Sequence, residues 1–321
     1  MDPTTATPAP TPIPAPATVE VRVRAMGSDA HIVIVGGPAG LADTALARLA
    51  ELEARWSRFI ETSEVSALTR RAGEAVAVSD DTWLLVRRAV DAWWLTGGAF
   101  DPTVLGDVVR AGYDRSFDEL RPDPTDARSP LLPGCDGIEV GAGTVRLAAG
   151  TGFDPGGIGK GLAADLIVAE LLRAGADGAC VNLGGDVRVA GTAPDGGGWT
   201  VGVAHPWDGE DLARLGVADG AVATSSVLRR RWERAGETRH HLIDPRTGRP
   251  SRSPLVQATV VAGTGWEAEV LAKAVLLNGD GHPFDILGGT GAEGLAVADD
   301  GTVLVSPGLA TFLGTRILEL A

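Results

Sequence analysis

Lys160 closes a glycine-rich run, Asp154-Pro155-Gly156-Gly157-Ile158-Gly159-Lys160, that leads straight into a helical pattern carrying Leu162, Leu166 and Leu171. Backbone N–H groups of such a loop, and the positive end of the helix behind it, suit an anion, and glycine lets a phosphate approach closely. The run matches neither GxxxxGKS/T nor GxGxxG, and taken alone it reads as a turn. Of the 28 basic residues only Lys160 and Lys273 are lysines. Where arginine meets the general need for positive charge, a retained lysine points to a place that wants a compact, rotatable ammonium. For Lys273 the plainer reading is a surface pair with Glu269 at i, i+4, worth roughly 0.3–0.5 kcal/mol.

Three further clusters carry polar chemistry. Asn182-Leu183-Gly184-Gly185-Asp186 has the composition of a hairpin turn. Thr96 to Thr103, with Asp101-Pro102, combines a helix stop and a turn. Thr224-Ser225-Ser226 precedes His240-His241-Leu242-Ile243-Asp244-Pro245-Arg246-Thr247-Gly248. An imidazole titrating at about 6.5 exchanges protons at neutral pH, Asp244 stands nearby in sequence, and Arg246 offers a planar fork for phosphate. A His–Asp pair is more often structural than catalytic, and no GxSxG elbow makes Ser225 a hydrolase nucleophile.

The elements that must position these residues follow from periodicity. Alternation at 19–23 and the apolar run 31–35 predict strands around Met26-Gly27-Ser28. Leu41, Ala45, Leu49, Leu52 and Trp56 share one face of a helix, and Ser79 caps another that Gly97-Gly98 stops. Residues 121–136 read as a long surface loop. From 138 onward short strands alternate with only three helical patterns, at 158–174, 265–278 and 307–319. That is the pattern of an α+β fold rather than a doubly wound sheet.

Composition narrows the class. The 42 acidic residues outnumber the basic ones for a net charge of −14, and the only basic run is Arg229-Arg230-Arg231, so nucleic acid is not an expected partner. Residues 1–18 are Pro, Thr and Ala with little to bury and read as a disordered tail before a domain spanning 19–321. No run approaches the roughly 18 apolar residues of a membrane span, and the start shows neither a signal peptide nor a lipobox, so no membrane insertion and a cytoplasmic location are expected. Cys135 and Cys180 have no metal or disulfide spacing.

Taken in order, the segments resemble the FAD:protein FMN transferase (ApbE-like) family. The matches are Met26-Gly27-Ser28, Phe59 to Leu68 with Ser63-Glu64-Val65-Ser66, Thr96 to Thr103, Asp154 to Asp165, Asn182 to Asp186, Ala223-Thr224-Ser225 and His241 to Gly248. The resemblance implies a T-fold-like architecture of two fused α+β lobes with FAD between them. It implies transfer of FMN from FAD to a Thr or Ser hydroxyl of an acceptor flavoprotein, with magnesium, and release of AMP. A branch of the family instead hydrolyses FAD to FMN and AMP, and a non-catalytic FAD binder is the third reading.

By the same resemblance His241 and Asp244 are the catalytic pair. Met26, Asp101, Lys160, Asp165, Asn182, Gly184, Gly185, Asp186, Thr224, Ser225, Arg246 and Thr247 would hold FAD. The magnesium site would fall on the Gly157 carbonyl and Glu269. Here the sequence departs from the family: Ala268-Glu269-Val270-Leu271-Ala272-Lys273 stands where Ala-Asp-Ala-Leu-Ala-Thr is usual. An ammonium cannot ligate a cation. Either magnesium binds weakly, or Lys273 supplies the positive charge itself. Ser226 and Leu228 replace the family's Gly and Tyr and bear on flavin contacts.

Overall fold

The computed structural model describes residues 17–313 apart from 124, 126 and 280. Strands β1 (Thr18–Ala25) and β2 (Ser28–Val35) pair antiparallel with Ala25 opposite Ser28. The two turn residues take positive φ, 50° at Met26 and 65° at Gly27. That is the backbone a two-residue hairpin needs to match the strands' twist. Glycine adopts it freely, whereas at Met26 it costs roughly 1–2 kcal/mol. The Met26 N–H is held by Glu53 Oε1 at 2.7 Å.

Six more strands continue the same sheet: β3 (Gly178–Leu183), β4 (Asp186–Gly191), β5 (Gly220–Ser226), β6 (Leu255–Ala262), β7 (Glu293–Ala298) and β8 (Val303–Val305). Their order in space is their order in the chain, and every neighbouring pair is antiparallel. The fold is therefore α+β, as the spacing of strands and helices predicts. One sheet runs through both halves, so the two lobes share a backbone of hydrogen bonds instead of meeting as separate units.

Helices enter as insertions in this meander. Between β2 and β3 lie α1 (Leu41–Trp56), α2 (Glu64–Arg70), α3 (Asp80–Leu95), α4 (Leu105–Arg110) and α5 (Gly159–Arg173). Between β6 and β7 lies α6 (Gly265–Asn278). The predicted face of α1, from Leu41 to Trp56, is buried, and Ser79 accepts the Thr82 N–H at the start of α3. The apolar residues of α1, α3 and α5 form one core with β2 and β3, and α6 forms a second with β5 to β7. On the other side of the sheet the hairpin Trp199–Ala204 and Asp211–Val217 covers a third.

At the crossing of α5 and α6 the backbones touch: a Cβ on Gly161 would lie 2.2 Å from the Gly265 carbonyl oxygen. Only glycine permits this approach, which brings Lys160 and Glu269 together. Gly161→Ala should therefore cost about 1–3 kcal/mol of stability by forced overpacking. Urea denaturation measures it, and an unchanged midpoint would mean the helices separate freely.

Several expectations need correction. The strand expected at 241–243 is two pieces, Glu237–His240 and Ile243–Asp244, with His241 between them. The strand Asp211–Val217, the hairpin strand Arg231–Arg234 and the short helices α2 and α4 escape the periodicity reading. The helix expected at 307–319 is a single 3₁₀ turn, Leu309–Thr311, as far as residue 313, and its remainder lies outside the described residues. So does the tail reading for residues 1–16, while Thr18 already belongs to β1. No helix among the described residues is long and apolar enough to cross a membrane.

Candidate functional site

The turn between β1 and β2, the segment after α1, the end of α4, the loop before α5, the chain around Arg230 and His241, and α6 enclose a cavity of about 380 Å³. One wall is aromatic. Phe59 and Phe117 flank Tyr113, with ring centroids 5.7 and 6.3 Å from it, and Trp232 supports it from behind at 5.4 Å. Tyr113 is the only tyrosine in the chain. The Arg58 guanidinium lies 4.1 Å from the Phe59 centroid and 4.6 Å from that of Tyr113, bonds the Tyr113 carbonyl at 3.0 Å, and reaches Asp154 at 3.6 Å. Its charge is thus spread over two rings and a carboxylate, and the wall presents flat apolar faces to the cavity.

The other end carries the cationic side chains of Lys160, Lys273 and Arg230, with the His241 ring among them. The two lysines differ sharply. Lys160 donates to Asp186 and, at 2.8 Å, to Glu269 Oε1, while Glu269 Oε2 accepts the Gly161 N–H at 2.8 Å. Burial works against its charge, but the two carboxylates outweigh that and raise its pKa. Burial also raises the Asp186 carboxyl, against the pull of Lys160. Lys273 has no hydrogen bond or ion pair among the described residues. Its Nζ lies where it would meet a Cβ on Gly157 at 1.9 Å, and 5.6 Å from the Phe100 centroid. Burial lowers its pKa, with only partial relief from Asp154 and Glu269.

His241 lines the cavity, and its Nδ1 is buried without a hydrogen-bond partner. Burial first, then the nearby charges of Arg230 and Lys273, hold the imidazole pKa well below 6.5, so the ring is neutral at physiological pH. Asp244 does not serve it. The Asp244 carboxylate accepts the Arg246 N–H at 3.0 Å and pairs with the Arg246 guanidinium at 3.1 Å, and Thr247 Oγ1 bonds the Asp244 carbonyl. These three residues form a turn whose arginine is 65% exposed, outside the cavity lining.

The remaining sequence candidates divide in the same way. Met26 lines the cavity. Asp186 and Glu269 reach it only through Lys160. Asn182 Oδ1 accepts the Gly185 N–H at 2.9 Å, and Gly184 and Gly185 take positive φ, so this cluster is the β3–β4 turn. Thr224 bonds Thr259 across the sheet at 2.8 Å, and Ser225 sits beside it on β5. Asp101 Oδ1 accepts the Thr103 N–H and hydroxyl. Asp165 accepts the N–H groups of Gly265 and Trp266 at 2.7 and 3.0 Å and pairs with Arg188, which makes it the cap of α6. Sequence reasoning missed Arg58, Tyr113, Phe117 and Arg230 as cavity residues; the solitary tyrosine was the one signal pointing there.

The donor set does not fit magnesium. Both Glu269 oxygens are engaged, one by an ammonium and one by a backbone N–H. The place beside Gly157 is taken by the Lys273 ammonium, which offers no lone pair and repels a cation. The i, i+4 surface pair expected of Glu269 and Lys273 is also not formed: Glu269 is 4% exposed and turned to Lys160.

Among the described residues, an antiparallel α+β frame thus carries a cleft that is aromatic at one end and cationic at the other. The chain belongs to the ApbE family, whose sequence model matches residues 26–290. It is 36% identical over 243 residues to the FAD:protein FMN transferase of Treponema pallidum, an alignment covering 68% of this chain and 66% of that one. It is 30% identical over 241 residues to the enzyme of the same name from Vibrio cholerae, covering 72% and 71%. The aligned part thus spans about two thirds of these relatives' lengths. Among solved structures, the ApbE protein of Thermotoga maritima superposes with a TM-score of 0.83 at 27% identity, and the flavin transferase ApbE of Vibrio cholerae with 0.80 at 25%. Each superposition covers 93% of this chain and 100% of the other.

Proposed function

We propose that this chain is an FAD:protein FMN transferase, which moves the FMN half of FAD onto a Thr or Ser hydroxyl of an acceptor protein and releases AMP. The observation that carries this reading is a neutral, unpartnered imidazole, His241, set among fixed cations in a cavity with an aromatic wall. The acceptor oxygen attacks the FMN phosphorus, a new phosphoester bond forms, the anhydride bond to the bridging oxygen breaks, and AMP leaves with that oxygen. His241 takes the hydroxyl proton, which a neutral ring can do and an imidazolium cannot. Arg230, in the lining of the same cavity, offers positive charge to the oxygens where negative charge develops, and the wall of Phe59, Tyr113 and Phe117 packs a ring system.

Incubating the chain with FAD and an acceptor domain, followed by mass spectrometry of protein and small molecules, tests the proposal. The expected result is an acceptor heavier by one FMN with AMP released in equal amount. Free FMN and AMP beside unmodified acceptor would make the chain a pyrophosphatase. FAD bound but intact under every condition would reduce it to a binding protein.

A further inference from the structure

We propose that the Lys273 ammonium is a resident counter-cation for the FAD diphosphate, standing beside Gly157 in place of a divalent metal, so that FAD binds this chain without one. The proposal rests on the FAD reading above and assigns the part of the ligand that this side chain meets.

Three carboxylates lie around Lys273, and each is committed elsewhere. Asp154 accepts the Gly156 N–H at 2.9 Å and faces the Arg58 guanidinium. Asp186 and Glu269 both take the ammonium of Lys160. Two negative charges against one make the Lys160 cluster net negative, which already satisfies that lysine. Lys273 forms no hydrogen bond or ion pair of its own among the described residues, and the fields of Asp154, Glu269 and Asp186 with the Phe100 ring offset its burial only in part. Lys160, which shares the cavity lining, adds repulsion.

A buried ammonium without a partner is costly unless a ligand supplies the partner. The side chain is held where the Asp154–Lys160 loop opens to the cavity, so an anion entering the cleft meets it. A diphosphate brings two negative charges on freely placed oxygens, which suits a rotatable ammonium. The same position beside Gly157 cannot hold both this ammonium and a divalent ion, because the two repel at contact distance.

The test compares FAD affinity by quenching of flavin fluorescence in EDTA and in millimolar Mg²⁺, for the wild-type chain and for Lys273→Met. Wild type should bind FAD equally in both buffers. Lys273→Met should bind about 10- to 100-fold more weakly in EDTA, the weight of one charge-assisted contact. The ligand-free variant should melt no lower than wild type, because an unpaired buried charge has been removed. Wild-type affinity that drops tenfold or more on chelation overturns this inference and leaves the transferase reading standing. So does a Lys273→Met chain that binds FAD in EDTA as tightly as wild type. Absence of FAD binding under all conditions overturns both. Should Lys273→Met fail to fold, Lys273→Gln carries the same comparison, and the chelation arm needs no variant.

Discussion

His241→Ala is expected to lower FMN transfer by about 10²–10⁴-fold, the usual weight of a general base, while FAD stays bound. The side chain lines the cavity but makes no hydrogen bond through Nδ1 that holds the fold together, so its removal takes away proton transfer and little else. Single-turnover kinetics with saturating FAD should show the whole loss in the chemical step. The pH profile gives a second readout. Because burial and neighbouring cations hold the ring's pKa well below 6.5, the base form persists as pH falls. The acid limb of kcat/KM should therefore lie below pH 6.5, and it should vanish in His241→Ala. The same shift makes the unfolded chain bind the proton more readily, so His241 costs stability as pH falls through about 6.5. Equal loss of FAD affinity and turnover in the variant would show that His241 binds and does not transfer protons.

The largest effect on stability is expected from Lys160→Met. This change leaves Asp186 and Glu269, both buried, without the ammonium they share. Breaking a buried ion pair by removing one partner costs about 3–5 kcal/mol, because the remaining charge has no solvent. Burial already raises the Asp186 carboxyl, and loss of Lys160 raises it further. Protonation at lower pH then removes the uncompensated charge. The deficit relative to wild type, read from urea denaturation, should accordingly be large at pH 7.5 and smaller at pH 5.5. A deficit independent of pH, or below about 1 kcal/mol, would show that the three groups do not act as one charge-balanced unit.

These two residues also show how far the sequence could be read. Helices α1, α3, α5 and α6 announce themselves through spacing, caps and glycine stops, which are local signals. Lys160, Asp186 and Glu269 meet across 26 and 109 positions of sequence, and nothing local specifies that. Their junction depends on the close approach of Gly161 and Gly265, legible in sequence only as two glycines among 44. Asp244 illustrates the opposite error. Its nearness to His241 in the chain invites a pairing, but its carboxylate folds back onto the Arg246 N–H, the turn geometry that Asp prefers. The aromatic wall stayed hidden because Tyr113 and Phe117 follow a six-residue helix in a stretch without periodicity.

The chain-order meander has a bearing on how the protein is made. Strands β2 and β3 are hydrogen-bonded neighbours, yet residues 36–177 lie between them. Closing so long a loop is entropically slow, and contacts of that separation are gained late in folding. The cavity takes Met26 from one side of that closure and Lys273 from the far end of the chain. A nascent polypeptide leaving the ribosome therefore lacks the complete cavity until synthesis has passed α6.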